Sequence, residues 1–94
     1  MKYPEMTEIS TGLRVRVRLF GAARAAAGSA AQTLVLGLGA TVADLVSALG
    51  NGNPRLANVL ERCSFLCDEV AVRDAAMTLR PGQTIDVLPP FAGG

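Results

Sequence analysis

Leu13-Arg14-Val15-Arg16-Val17-Arg18-Leu19-Phe20 alternates between apolar and charged residues until its last position. Leu13, Val15, Val17 and Leu19 point one way; Arg14, Arg16, Arg18 and Phe20 point the other. A period of two marks a strand with one buried face. Thr84-Ile85-Asp86-Val87-Leu88 repeats the pattern near the far end of the chain. There Ile85 and Val87 face a core, and Thr84, Asp86 and Leu88 face away. Two strands with apolar inner faces are expected side by side at the middle of one sheet. Pro89-Pro90 ends the last strand, because proline cannot donate to a ladder.

Between these strands the pattern changes period. Gly21–Gly28 is an alanine-rich turn or short helix bounded by glycines, and Gln32–Leu36 is a second strand, which makes a long-looped hairpin with the first. Thr41 is a suitable N-cap, with Asp44 near the positive end of the helix dipole. Val42, Leu45, Val46 and Leu49 then form an apolar helical stripe, ended by Gly50-Asn51-Gly52. Pro54 opens a second helical segment with Leu56, Val59, Leu60 and Cys63 on its apolar side. Phe65–Arg73 reads as strand, broken near Asp68-Glu69, with a hairpin turn expected at Asp74-Ala75-Ala76. Pro81-Gly82 marks a tight turn before the last strand. The order β, β, α, short α, β, β, β predicts an α+β domain, a mixed sheet of about five strands with one main helix packed on one face.

The chain has 94 residues, half of them apolar, which suits one small domain. Residues 1–12 are polar, broken by Pro4 and Gly12, and lack the apolar centre of a signal peptide. They are expected to form a flexible arm before a domain over 13–88 and a tail over 89–94. A net charge of +1 gives no reason to expect nucleic acid or an anionic membrane as partner. No apolar run approaches the ~20 residues that span a bilayer. A cytoplasmic location is expected.

The reactive side chains are few. There is no histidine, so the commonest general base and transition-metal ligand is missing, and the single lysine is Lys2. Cys63 and Cys67, spaced C-x3-C without further cysteine or histidine, cannot complete a structural zinc site. They read as small reduced hydrophobes, and no metal site is expected. The glycines of Leu36-Gly37-Leu38-Gly39 are not followed by the Gly-Lys-Ser/Thr of a phosphate loop, and those of Gly21–Gly28 lack dinucleotide-site spacing. What remains is the tail Leu88-Pro89-Pro90-Phe91-Ala92-Gly93-Gly94. Glycine has no Cβ, so this end is narrow around its last carbonyl. Such a carboxylate can enter another protein's active site.

The order of elements and the tail resemble the β-grasp sulfur carriers, the MoaD/ThiS group of ubiquitin-like proteins. Within it the chain is most similar to the MoaD-like small subunits of molybdopterin synthase. The matching residues are Leu19-Phe20-Gly21-Ala22-Ala23-Arg24 with Gly28, Thr41-Val42-Ala43-Asp44-Leu45, Leu79-Arg80-Pro81-Gly82-Gln83-Thr84-Ile85, and Pro89-Pro90-Phe91-Ala92-Gly93-Gly94. The match covers roughly residues 13 to 94. Gln83 stands where the family usually has an acidic residue, a change expected to touch only a turn hydrogen bond. Val72-Arg73-Asp74 stands where a Val-Asn hairpin is common.

The resemblance implies a chemistry at Gly94. An E1-like enzyme adenylates its carboxylate with ATP, and sulfur replaces AMP to leave a thiocarboxylate. The large subunit of molybdopterin synthase then presents that sulfur to a pterin precursor, in a heterotetramer of two small and two large subunits. The chain would bind no cofactor tightly and act as a tethered cosubstrate. Gly93 would keep the tip narrow, with Ala92, Phe91, Pro90, Pro89 and Leu88 as the threaded, partner-binding segment. Phe91 is read as a docking anchor or as a residue folded back on the sheet. Phe20, Arg14, Arg16 and Arg18 are candidate interface residues, or simply a solvated face. Other readings are a carrier for thiamin or cysteine biosynthesis, a ubiquitin-like modifier of lysines, and an interaction domain with an inert tail.

Overall fold

The structure is a computed structural model and describes residues 12–90. Five strands and three helices follow in the order β1 (Gly12–Leu19), α1 (Gly21–Ala27), β2 (Ala31–Gly37), α2 (Val42–Gly50), α3 (Pro54–Leu60), β3 (Ser64–Cys67), β4 (Val70–Ala71) and β5 (Thr84–Leu88). The sheet order is β2-β1-β5-β3-β4. β1 and β5 are parallel neighbours at its middle, with Val17 level with Ile85 and Leu19 with Val87. β1–β2, β3–β5 and β3–β4 are antiparallel. This is the α+β sheet the alternating strands imply, in the β-grasp arrangement the resemblance implies.

The period-two residues behave as their pattern requires. Leu13, Val15, Val17, Leu19, Ile85 and Val87 are all buried, and they form one core with Ala23, Val42, Leu45, Leu49, Leu56 and Leu60 from the helices. Each large side chain so buried contributes about 1.5–3 kcal/mol of transfer free energy. The helices therefore cover one sheet face, and among the described residues no element covers the arginine face.

Local chemistry sets the helix starts. Thr41 Oγ1 accepts from the Asp44 N–H at 3.2 Å, and Asp44 Oδ2 accepts from the Thr41 N–H at 2.9 Å, a reciprocal capping box. Asn53 Oδ1 accepts from the Leu56 N–H, while its Nδ2 donates to the Ala26 carbonyl. One side chain thus starts α3 and ties it to the end of α1.

Of the turn and the short helix expected at Gly21–Gly28, the helix forms: Gly21–Ala27 is helical and closed by Gly28 at φ 79°, which makes three helices in the layer. One sequence expectation changes, the place of the hairpin turn. The β3–β4 hairpin turns at Asp68-Glu69, where both φ angles are positive, 47° and 72°. Asp68 offsets that strain by donating its N–H to the Thr84 carbonyl at 2.8 Å and accepting the Thr84 N–H on Oδ1 at 2.9 Å. Asp74-Ala75-Ala76 also turns, with Asp74 Oδ1 accepting from the Ala76 N–H, but it joins no strand pair. Its neighbours instead bind α2, the Val42 N–H donating to Met77 and the Ala43 N–H to Ala75.

Candidate functional site

The site begins where β5 ends. Leu88 lies opposite Ser64 of β3 and is half-buried; Pro89 is half-buried and Pro90 exposed. The Phe20 N–H donates to the Val87 carbonyl at 3.3 Å, so the ladder of the two central strands runs on to the point where the tail departs. Phe20 is 40% exposed beside that exit. Phe91, Ala92, Gly93 and Gly94 lie outside the described residues.

Gly21 makes the close approach at the tail base. It holds φ +54°, and a Cβ there would sit 3.0 Å from Pro89 Cγ. On the helical side, Pro89 and Pro90 line a groove of about 210 Å³ with Ala22, Asn58, Val59 and Arg62. Periodicity reveals neither the groove nor the Gly21–Pro89 contact, since both arise from the parallel pairing of segments 68 residues apart.

The outer face carries Arg14, Arg16 and Arg18, all exposed as the alternation predicts. They do not form one uniform row. Arg18 Nε and Nη2 donate to Asp86 Oδ1 and Oδ2 at 2.6 and 2.7 Å, the one ion pair among the described residues. Those hydrogen bonds, and then the Asp86 charge, push the Arg18 pKa above its ordinary value. Asp86 points away from the core, as expected, but is only 6% exposed because the guanidinium covers it. The available signal was opposite charge at positions 18 and 86 on strands expected to be neighbours.

The remaining candidates are quiet. Burial raises the pKa of the Cys63 and Cys67 thiols, with the Asp68 charge adding at Cys67. Cys63 Sγ donates to the Val59 carbonyl at 3.3 Å. Among the described residues there is no cluster of three or more metal-ligating side chains. Nor is any helix there long and apolar enough to cross a membrane.

With this geometry the comparisons are specific. Residues 17–94 match the ThiS family. The chain belongs to that family. A curated relative, the molybdopterin synthase sulfur carrier subunit of Chlamydomonas reinhardtii, is 31% identical over 83 residues, 87% of this chain and all of the relative. The solution structure of small archaeal modifier protein 1 from Methanosarcina acetivorans superposes with a TM-score of 0.75 at 25% identity, covering 88% of this ThiS-family chain and 98% of that one. A chain from the complex of subunits 1 and 2 of the Helicobacter pylori molybdopterin-converting factor superposes with a TM-score of 0.63 at 22% identity, over 87% of this chain and all of that one. This last likeness is one of fold.

Proposed function

We propose that this ThiS-family protein is a sulfur carrier whose reactive group is the Gly94 carboxylate, and that it serves as the small subunit of a molybdopterin synthase in the cytoplasm. The observation that carries the reading is the family match, which extends through Gly93 and Gly94. The name of the Chlamydomonas relative, matched over its whole length, supports the molybdopterin branch.

In this mechanism a carboxylate oxygen of Gly94 attacks the α-phosphate of ATP on an E1-like enzyme and pyrophosphate leaves. Hydrosulfide then attacks the acyl carbon, a C–S bond forms, the C–O bond breaks so that AMP leaves, and loss of the S–H proton leaves a thiocarboxylate. The large subunit positions that sulfur against the pterin precursor. The carrier supplies reach and orientation, the latter being a major source of rate when reactants are held in place. Six residues from Pro89 span at most ~20 Å, enough to thread a pocket while the β-grasp body stays outside.

The likeness to small archaeal modifier protein 1 favours a second reading, a ubiquitin-like modifier activated in the same way. Incubating the chain with its activating enzyme, ATP and a sulfur source separates the two. A C-terminal mass gain equal to replacing one oxygen by sulfur supports the carrier. An adduct on lysines of other proteins supports the modifier. No ATP-dependent change with an enzyme active on another carrier rejects both.

A further inference from the structure

The arginine face is divided by its ion pairing. Arg18 is occupied by Asp86, and Asp68 and Glu69 line the same depression as Arg18, so the acidic groups of this face gather there. Arg14 and Arg16 have no ion-pair partner among the described residues. They line a neighbouring surface depression of about 370 Å³ with Thr33, Gly82 and Thr84, the last of which also borders the Arg18 depression. The register explains its shape. Arg16 lies level with Thr33 of β2 on one side and Thr84 of β5 on the other. Both neighbours of Arg16 are short and hydroxylic, while Arg14 lies level with the exposed Val35 of β2.

We propose that Arg14, Arg16, Thr33 and Thr84 form a cationic docking subsite that receives an acidic segment of the large synthase subunit, while Phe20 and Leu88 give the apolar end of the same face. This rests on the reading of the chain as a synthase subunit. Charge complementarity selects the occupant: two unneutralised guanidiniums suit carboxylates, and arginine is the side chain that binds them bidentately. Continuity selects the protein rather than a free anion. Phe20, extended and one residue past β1, follows Arg16 by four residues, about 13 Å at strand rise, so a surface that seats the tail base also reaches the arginines. The subsite acts mainly on encounter, since exposed charges steer association and are screened by salt. The apolar end acts on residence.

The test is the association of the full chain with the large subunit, followed by stopped-flow at low and high salt. Arg14→Glu/Arg16→Glu is expected to lower the association rate constant about tenfold or more at low salt and to flatten its salt dependence. Its thermal midpoint stays at the wild-type value, and Arg14→Lys/Arg16→Lys retains most of the rate. Phe20→Ala is expected to raise the dissociation rate with little effect on association. A double charge reversal that associates at the wild-type rate and salt slope overturns the subsite, and if Phe20→Ala still speeds dissociation the docking face itself stands. A complex indifferent to both variants overturns the docking face as well.

Discussion

Arg18 and Asp86 are joined by two parallel hydrogen bonds of 2.6 and 2.7 Å across the parallel pair at the centre of the sheet. Their strands are contributed by opposite ends of the described chain, so the pair fixes the register of the contact that closes the fold. Removing Arg18 strands a nearly covered carboxylate, which is more damaging than losing both groups together. Arg18→Met is therefore expected to lower the urea midpoint more than Arg18→Met/Asp86→Leu. Equal midpoints for wild type and Arg18→Met would show that solvent replaces the guanidinium at no cost.

The Thr41–Asp44 capping box is the best-defined local signal in the chain. Thr41→Ala removes the side-chain acceptor for the Asp44 N–H and leaves the apolar stripe of α2 in place. The expected cost is about 1 kcal/mol. In a domain of this size that is a fall of roughly 4–8 °C in melting temperature. Thr41→Ser should recover most of it, measured by thermal denaturation.

How much of this was legible follows from which forces act locally. The period-two strands, the Thr41 cap and the Pro81-Gly82 turn are written in neighbouring residues. Gly82 at φ +84° and the Gln83 N–H donating to the Arg80 carbonyl match the turn as read. Gln83 Oε1 accepts the Arg80 N–H at 2.7 Å, so the departure from an acidic residue keeps an acceptor in place. The strand break near Asp68-Glu69 is legible, but the sequence puts the hairpin turn at Asp74-Ala75-Ala76. Asp68-Glu69 carries no glycine, and the positive φ of Asp68 is sustained by bonds to Thr84, sixteen residues away. For the site, the sequence pointed to the tail and the arginine face. The division of that face came only with the side-chain pairing.

Gly21 links α1 to the tail base. Alanine there would be held at φ +54° with its Cβ against Pro89 Cγ at 3.0 Å. The left-handed backbone alone costs about 1–2 kcal/mol. Relief by moving Pro89 would redirect the tail. Gly21→Ala is thus expected to lower stability by about that amount and, assayed well below its melting point, to slow activation of Gly94 as well. Lower stability with unchanged activation kinetics would separate Gly21 from the tail.

The thiols give a pH dependence of definite sign. Burial favours the neutral form of Cys63 and Cys67, so the folded protein holds these protons more tightly than the unfolded chain. That contribution is complete below the ordinary thiol value of 9.0 and is lost as pH rises through the raised folded values. The urea midpoint is expected to fall between pH 8 and pH 10 by more in wild type than in Cys63→Ala/Cys67→Ala, whatever the absolute stability of the variant. Parallel pH profiles would assign the alkaline loss to other groups.

The proline pair makes the last prediction. Pro89 is packed against Gly21 and both prolines line the groove on α3, so the first two tail residues leave β5 along a fixed path. Replacing a proline by a freer residue releases chain entropy worth about 0.4–1 kcal/mol at each position. An activating enzyme must remove that freedom when it threads the tail. Pro89→Gly/Pro90→Gly is therefore expected to weaken activation by about 1–2 kcal/mol, or roughly 5–30-fold in kcat/KM, with the effect in KM because the reacting carboxylate is unchanged. Deleting Gly94 should instead abolish the sulfur-bearing product at every enzyme concentration while leaving the melting temperature unchanged. The contrast separates reach from chemistry. If the diglycine variant lowers kcat at constant KM, the prolines act on alignment at the reacting carbon rather than on threading.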